Sequence, residues 1–322
     1  MSRMNQPSSL LPFDDIRALV EDLPGFDQHA ANGLSAEIQQ PGGRAAEIAA
    51  WMAGWQGQAR PKIRRPVVAL FAASHAVAAD LPDGLQINQV IELIASVQAR
   101  SGPVAQACER AELGLKVFEL APELPLEDFS AGAAMAENDC AATIAYGMEA
   151  TTDGCDLLVV RAIAAGGHAS ITAMATALLG EDPSLDAKRN SAEVEIVGRA
   201  IATHNSHLRS PLELLRRLGG REAAAIAGAI VAARLQRVPV IVDGSQAVCV
   251  ALLLEALRKG TADHCITSCR DMHPDSLRLC QALGRPVLLS GGYNDLDGTS
   301  GALAAGVVAD VISLFEGAPR QV

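Results

Sequence analysis

The sequence has few aromatic residues, because Phe, Trp and Tyr together make up 3% of its 322 residues. Proteins that bind single-stranded nucleic acid without sequence preference stack the bases on such side chains. The formal net charge of −11 also disfavours binding to a phosphate backbone. We therefore expect no nucleic-acid partner.

Long apolar runs are also lacking. The sequence has no run of the roughly 18 apolar residues that a membrane-spanning helix needs. The N-terminal segment MSRMNQPSSLLPFDDIRALVEDLPG lacks the charged region and long apolar stretch of a secretory signal. We therefore expect a cytoplasmic protein without a membrane partner.

Metal-binding and disulfide patterns are missing as well. The seven cysteines are odd in number, and none forms a C-x-x-C pair. This pattern favours reduced core thiols over a disulfide framework or a zinc site. His204 and His207 of the segment HNSH could form a metal pair, but a solvated turn is the favoured interpretation because no cysteine or acid cluster is near. We expect no metal.

Two common nucleotide-binding motifs do not occur. No G-x-G-x-x-G joins a predicted strand to a helix, which disfavours a nicotinamide-dependent dehydrogenase. No G-x-x-x-x-G-K-[ST] occurs, which excludes a P-loop nucleotidase. The sequence therefore predicts no cofactor.

The sequence does contain short, almost continuous apolar runs separated by Ala- and Leu-rich helical patterns. Such runs are typical of strands that are buried on both faces of a sheet. The runs occupy residues 65–74, 115–121, 155–164, 238–244, 263–269 and 285–292. The alternation predicts an α/β fold, with a doubly wound parallel sheet of about six strands and helices on both faces.

The two ends of the chain show helical patterns and no strand pattern. They could pack together as a helical layer beside the sheet. We therefore predict a large, Rossmann-like α/β domain over residues 61–300. A small helical domain would combine residues 1–60 with residues 301–322.

The strand ends indicate where a ligand would bind. In open α/β sheets, ligands bind beyond the carboxyl ends of the strands. The residues at those ends are Ser74 and His75, 161–168, Asp243 and Gly244, 269–271, and 291–299.

Four segments resemble one enzyme family, the nicotinate-nucleotide–dimethylbenzimidazole phosphoribosyltransferases. The most specific is GGREAAAIAGAIVAARLQRVPVIVDG, residues 219–244, with a glycine pair, an acid, an Ala-rich helix and a strand that ends in Asp-Gly. The others are IAAWMAGWQGQARP (48–61), AAMAENDCAATIAYGMEA (133–150), and LGRPVLLSGG with DGTSGALA near the C-terminus. The resemblance covers most of the chain in one order.

The resemblance implies a reaction and an assembly. Family members transfer phosphoribose from nicotinate mononucleotide to 5,6-dimethylbenzimidazole, which gives α-ribazole phosphate for the nucleotide loop of cobalamin. The resemblance also implies a homodimer, small-molecule substrates, and a parallel sheet with a small domain made from both chain ends.

Asp297 matches the family's general base. In the family this base is a glutamate in a glycine-rich turn before the last helix, and here the turn reads DGTSGALA. The resemblance thus implies that Asp297 is catalytic and that Gly298, Thr299 and Ser300 contact substrate. The alternative is that Asp297, Thr299 or Ser300 only caps the helix.

A second family signature holds the nucleotide's phosphate at a helix N-terminus. It matches RAIAAGGHAS, residues 161–170. The resemblance implies substrate binding by Gly166, Gly167, His168 and Ser170, with His168 or Arg161 adding charge. The alternative is an ordinary strand-to-helix turn.

Three further positions match family residues. Lys188 matches a phosphate-side lysine, although the glycine loop that precedes it in the family has no counterpart here. His75 matches a histidine after the first strand, and Asp243 belongs to the Asp-Gly pair. All three are predicted to bind substrate, against the alternatives of a surface lysine, an end-of-strand histidine and a structural aspartate.

The differences from the family motifs leave two hypotheses for function. The chain is either an active transferase or a catalytically impaired paralogue. The paralogue would serve as a partner subunit or as a nucleotide- or base-binding protein.

Overall fold

The computed structural model of the protein describes residues 12–37, 43–81, 83–180, 189–293 and 296–316. Within these ranges, five strands form one parallel sheet in the order β2-β1-β3-β4-β5. The strands are β1 (Pro66–Ser74), β2 (Gly114–Glu119), β3 (Leu157–Ala165), β4 (Val240–Asp243) and β5 (Cys265–Thr267). The predicted α/β class with a parallel sheet is confirmed.

The sixth predicted run lies along the outer edge of β5. Thr267 donates its backbone N–H to Pro286 at 2.8 Å, and Leu288 donates to Thr267 at 2.8 Å. Only one bridge, between Thr267 and Val287, has strand geometry there. A separate short pair, β6 (Arg270–Asp271) and β7 (Gly292–Tyr293), forms beyond this edge.

Helices follow most strands, as the alternation predicted. The helices of the described residues are α1 (Pro12–Glu21), α2 (Gln28–Glu37), α3 (Arg44–Gln56), α4 (Ile87–Gln98), α5 (Pro103–Arg110), α6 (Glu137–Gly147), α7 (Gly167–Leu179), α8 (Ser191–His204), α9 (Pro211–Leu214), α10 (Gly220–Leu235), α11 (Gly244–Leu257), α12 (Ser276–Leu283) and α13 (Thr299–Glu316). Short 3₁₀ turns lie at Ala76–Asp80 and Met148–Thr151, and a π-helical turn at Leu215–Gly219 precedes α10.

Helices cover both faces of the sheet. Side chains of β1 alternate between two apolar cores, so Val67 and Phe71 face one core while Val68 and Leu70 face the other. The first core contains α6, α10 and α11, and the second contains α3, α4 and α13. The sheet is therefore doubly wound.

The N-terminal helices divide between the two cores. Ile48 and Met52 of α3 share a core with Ala304 and Val308 of α13. By contrast, Phe13 of α1 belongs to the core on the opposite face of the sheet. The division into domains at residues 60 and 300 stays a prediction.

Candidate active site

A cavity of about 450 Å³ opens beyond the carboxyl ends of β3 and β4. This volume lies within the range of roughly 300–1,000 Å³ that is common for small-molecule sites. Most of its wall consists of residues within 83–85, 161–168, 243–246 and 271–274. Three of the predicted strand-end segments therefore meet at one cavity, and Tyr293 and Leu296 of a fourth segment also line it.

Two helix N-termini face the cavity. Gly166 precedes α7 with φ 72°, and Gly244 opens α11 with φ 80°. Both angles lie in the left-handed region, which glycine adopts without steric cost. Backbone N–H groups at helix N-termini bind anions. The start of α7 thus has donors suited to a phosphate, whereas at the start of α11 the Ser245 backbone N–H already donates to the Asp271 carboxylate.

Asp243 is the fully buried carboxylate at the end of β4. Its Oδ1 accepts hydrogen bonds from the hydroxyls of Ser268 and, at 2.8 Å, Ser300. Arg161 Nη1 lies 3.3 Å from its Oδ2. Ser300, predicted to contact substrate, thus lies behind the cavity wall and holds Asp243.

Arg161 supplies positive charge to the cavity. Among the described residues that line it, Arg161 is the one Arg or Lys side chain. Its guanidinium lies over the backbone of Gly244, where a Cβ would come within 2.6 Å of Nη1. A glycine at this position lets the cation approach the start of α11.

Asp271 is a second carboxylate in the wall. Its oxygens accept from the Ser245 backbone N–H and hydroxyl, both at 2.6 Å, and from the His273 backbone N–H at 3.1 Å. Burial raises its pKa, but the two hydrogen bonds from Ser245 together with nearby His273 and Arg161 leave the pKa below its ordinary value. Asp271 is therefore ionised and caps α11.

His168 projects into the cavity from the first turn of α7. Its side chain is 30% exposed, and its Nε2 lies 4.0 Å from Glu193 Oε2. Burial lowers the pKa of His168 more than nearby Glu193 raises it. The imidazole is thus neutral near pH 7, so the positive charge expected there rests on Arg161.

Behind His168 lies a buried group of charged side chains from α8 and its flanks. Arg189 Nη1 donates to Thr172 Oγ1 at 2.6 Å and to Glu193 Oε1 at 3.1 Å. Its Nη2 donates to Asp275 at 2.5 Å. The group fixes Glu193 next to the cavity, and it was not predicted from the sequence.

His273 connects this group with the cavity wall. Its Nδ1 accepts from the Asp275 backbone N–H at 3.1 Å, so its Nε2 carries the proton and donates to the His168 carbonyl at 3.2 Å. Burial lowers the pKa of His273. Both ring nitrogens of His273 therefore hold backbone groups in place, Nδ1 that of Asp275 and Nε2 that of His168.

His75 is buried behind the cavity. Its Nε2 lies 2.8 Å from Glu222 Oε1, which also accepts a 2.6 Å hydrogen bond from Gln246 Nε2. Gln246 lines the cavity, whereas His75 does not. The alternative of an end-of-strand histidine agrees with this position.

Asp297 caps two helices. Its Oδ1 accepts from the Thr299 backbone N–H at 3.1 Å and from the Thr299 hydroxyl at 2.6 Å. Its Oδ2 accepts from the Val104 backbone N–H at 3.2 Å. The carboxylate is not among the groups that line the cavity, although Leu296 is.

Two other predicted positions lie apart from the cavity lining. The Ser170 hydroxyl donates to the Leu218 carbonyl at 2.5 Å and is buried in the core. Gly298 packs against Leu70, and a Cβ there would come within 2.7 Å of that side chain. Lys188 lies outside the described residues.

The predicted site residues thus fall into two groups. Gly167, His168 and Asp243 lie together at the cavity, with Gly166 at the start of the same turn. Those behind or beside the wall are His75, Ser170, Asp297, Gly298, Thr299 and Ser300. Sequence reasoning missed Gln246, although it lies two residues after the Asp-Gly pair at a strand end.

The cysteine thiols are not activated as nucleophiles. All seven are free thiols. Burial raises the pKa of Cys108 and Cys140 to about 12.

The described residues contain no cluster of three His, Cys, Asp or Glu side chains placed to hold a metal. Nor do they contain a helix long and apolar enough to cross a membrane.

Comparison with known proteins agrees with this architecture. A family model described as phosphoribosyltransferase matches residues 25–319. A nicotinate-nucleotide–dimethylbenzimidazole phosphoribosyltransferase of Agrobacterium fabrum is 40% identical, with 95% of this chain and 93% of that protein covered. One of the same name from Rhizobium etli (strain CIAT 652) is 40% identical, with 95% of each chain covered.

A solved structure supports the fold independently. The crystal structure of the enzyme of this name from Thermus thermophilus superposes with a TM-score of 0.81 at 23% identity. It covers 90% of this chain and 96% of the Thermus chain. The chain belongs to the nicotinate-nucleotide–dimethylbenzimidazole phosphoribosyltransferase family.

Proposed function

We propose that this protein transfers phosphoribose from nicotinate mononucleotide to 5,6-dimethylbenzimidazole and so forms α-ribazole phosphate. The main support is the cavity of about 450 Å³, where the N-termini of α7 and α11 and the cation of Arg161 meet. The relatives that carry this activity in their names are 40% identical over nearly the whole chain.

The phosphate would bind at the start of α7. Gly167 lines the cavity at the N-terminus of α7, where backbone N–H groups and the helix macrodipole favour an anion. Arg161 in the same cavity adds a guanidinium group, which also pairs with the Asp243 carboxylate. Lys188 stays a predicted phosphate-side cation beyond the described residues.

The carboxylates of Asp243 and Asp271 would act on the ribose. Bond breaking at the anomeric carbon develops positive charge on the sugar, as in other glycosyl transfers. Fixed carboxylates in a cavity stabilise such charge because they need no reorganisation during the reaction. Both are fixed by hydrogen bonds to serines, Asp243 by Ser268 and Ser300 and Asp271 by Ser245.

The residues behind the wall would act by positioning. His75 orders Gln246 through Glu222, and Ser300 orders Asp243. Thr299 and Gly298 shape the turn that brings Ser300 to Asp243.

We further propose that the protein is a cytoplasmic homodimer. The family resemblance supports this assembly. Val307 and Leu314 of α13 are exposed apolar side chains seven residues apart, so they share one face of the helix. Analytical ultracentrifugation tests the proposal, and a monomer at micromolar concentration contradicts it.

The reaction is tested with purified protein, nicotinate mononucleotide and dimethylbenzimidazole. Chromatography and mass spectrometry should show α-ribazole phosphate and nicotinate in equal amounts. The variant Asp243→Asn should lose about 10²-fold or more in kcat, whereas Asp15→Asn, an exposed position on α1, should keep the wild-type rate. Folded wild-type protein that gives no product contradicts the proposed function and favours the impaired paralogue.

A further inference from the structure

The proposed reaction requires a group that takes a proton. As one nitrogen of the benzimidazole attacks, its other nitrogen must lose its hydrogen to give a neutral product. A side chain that performs this step must reach the acceptor and have a free lone pair.

The carboxylates around the cavity are committed to other partners. Asp271 accepts three hydrogen bonds, and the donors of Ser245 together with His273 and Arg161 lower its pKa although burial raises it. Asp243 accepts from Ser268 and Ser300 and faces Arg161. Each is stabilised as an anion, and such stabilisation makes a carboxylate a weaker base.

The other two acids are no better placed. Asp83 is an exposed residue at the rim, and its Oδ2 accepts from Asn190 at 2.8 Å. Asp297 uses both oxygens to cap α5 and α13 and is not part of the lining.

His168 has the position that the step requires. It lines the cavity, its side chain is 30% exposed, and its ring packs directly on Gly84, where a Cβ would overlap the imidazole. Leu85 and Ile171 line the cavity beside it and offer apolar surface to a planar base. Among the described residues, the nearest anionic partner of its ring is the Glu193 carboxylate at 4.0 Å.

We propose that His168 is the general base of the reaction and that Glu193 positions its imidazole. This inference rests on the proposed function. The attacking benzimidazole nitrogen forms the bond to the anomeric carbon, and the bond to nicotinate breaks with its electron pair on the leaving nitrogen. The proton of the other benzimidazole nitrogen passes to His168 and then to water at the cavity mouth.

The surroundings of His168 keep it in the required form. Burial lowers its pKa below the ordinary value near 6.5. The charged and titratable groups that face it are Glu193 of α8, Arg189 just before α8, His273 after β6, His75 at the end of β1, and Asp83 at the rim. Glu193 raises the pKa, whereas the other histidines and Arg189 lower it. The imidazole is therefore unprotonated at neutral pH and able to accept a proton.

The pH profile follows from this assignment. Protonation of His168 removes the base, so kcat should fall as pH decreases through its lowered pKa. The variant Glu193→Gln removes a charge that raises this pKa, so the acidic limb should move to lower pH. A purely structural role for Glu193 would not move it.

The test compares His168→Asn with His207→Asn, which removes an exposed histidine at the end of α8. We expect His168→Asn to lose about 10²–10⁴-fold in kcat with the KM for nicotinate mononucleotide little changed. The acidic limb should disappear, and added imidazole should restore part of the activity to His168→Ala. The variant His207→Asn should match the wild type.

Two results would overturn the inference. One is a folded His168→Asn protein that keeps wild-type kcat and the same acidic limb. The other is loss of that limb in Asp297→Asn but not in His168→Asn, which would assign the base to Asp297.

The contact of His168 with the base can also be tested without the proposed reaction. If wild-type protein forms no product, the proposed reaction fails, and NMR of ¹⁵N-histidine-labelled protein then tests His168 by itself. Dimethylbenzimidazole should shift the imidazole signals of His168 and leave those of His207 unchanged. Unmoved His168 signals at saturating base contradict the contact.

Discussion

His75 Nε2 lies 2.8 Å from Glu222 Oε1, and both side chains are completely buried. The same oxygen accepts from Gln246, whose side chain lines the cavity. A carboxylate inside α10 therefore connects the end of β1 with the cavity wall. His75 influences the site through this contact without facing the cavity itself.

Removal of Glu222 should destabilise the fold. The variant leaves the buried His75 and Gln246 side chains without their acceptor, and an unsatisfied buried polar group costs about 1–3 kcal/mol. We expect Glu222→Ala to lower the free energy of unfolding by that amount in urea denaturation. Glu222→Gln keeps a hydrogen-bonding group of the same size and should cost less. Equal effects of the two variants would show that the contact with His75 and Gln246 is unimportant.

Asp297 should contribute to stability through its two caps. Replacement of a capping side chain by alanine typically costs about 1 kcal/mol, and Asp297 accepts from the N-termini of both α5 and α13. We expect Asp297→Ala to lose about 1–2 kcal/mol. Asp310→Ala, an exposed position on α13, should stay within about 0.5 kcal/mol of the wild type. An unchanged unfolding midpoint for Asp297→Ala contradicts the capping role.

Replacement of Gly166 by alanine should weaken nucleotide binding as well as strain the backbone. Alanine at a left-handed position costs about 1–2 kcal/mol, and a Cβ on Gly166 would also come within 3.1 Å of the Ala78 nitrogen. We expect Gly166→Ala to raise the KM for nicotinate mononucleotide about tenfold or more, because a misplaced donor costs roughly 1–2 kcal/mol of binding. Gly180, with φ 71° at the other end of α7, has open space around it and provides the control.

Gly180→Ala carries the same backbone penalty but lies at the far end of the helix. It should lower stability and leave the KM unchanged. If both variants change KM equally, the turn at Gly166 has no special part in phosphate binding.

His264 should make stability depend on pH. Burial lowers its pKa to about 3, whereas the unfolded chain has a value near 6.5. The unfolded state alone therefore binds a proton between these values, and stability is lost as pH falls from about 6.5 towards 3. The loss from His264 is about 2 kcal/mol at pH 5.

Urea denaturation at pH 7 and pH 5 measures this loss. His264→Gln, which can still donate to the Ile230 carbonyl that His264 Nε2 contacts at 3.0 Å, should lose about 2 kcal/mol less than the wild type between the two pH values. Identical pH dependence in the two proteins contradicts the assignment.

The sheet was predictable because its strands are apolar on both faces. Runs such as PVVALFAAS, residues 66–74, read as buried strands without any knowledge of their neighbours. The run at 285–292 had the same appearance, yet it pairs with β5 at a single bridge. Its pairing depends on the position of the sheet edge, which the sequence does not specify.

The location of the site was predictable, but the direction of its side chains was not. The strand-end rule found Arg161, Asp243 and Asp271, because each follows or closes an apolar run. The match to the family's glycine-rich turn pointed to Asp297. A match at one acidic position does not say whether the carboxylate faces a cavity or two helix N-termini. Glu193 and Arg189 were missed because Glu193 also contacts Thr172 and Arg189 also contacts Asp275, and both of these partners are distant in sequence.

The most direct test of the proposed reaction follows the ribose from nicotinate mononucleotide into the product. Purified protein is incubated with nicotinate mononucleotide carrying ¹³C in its ribose, with and without dimethylbenzimidazole, and the products are analysed by mass spectrometry. We predict labelled α-ribazole phosphate, formed only with the base and in amounts equal to the released nicotinate. No labelled product, or nicotinate released equally well without the base, contradicts the proposed reaction.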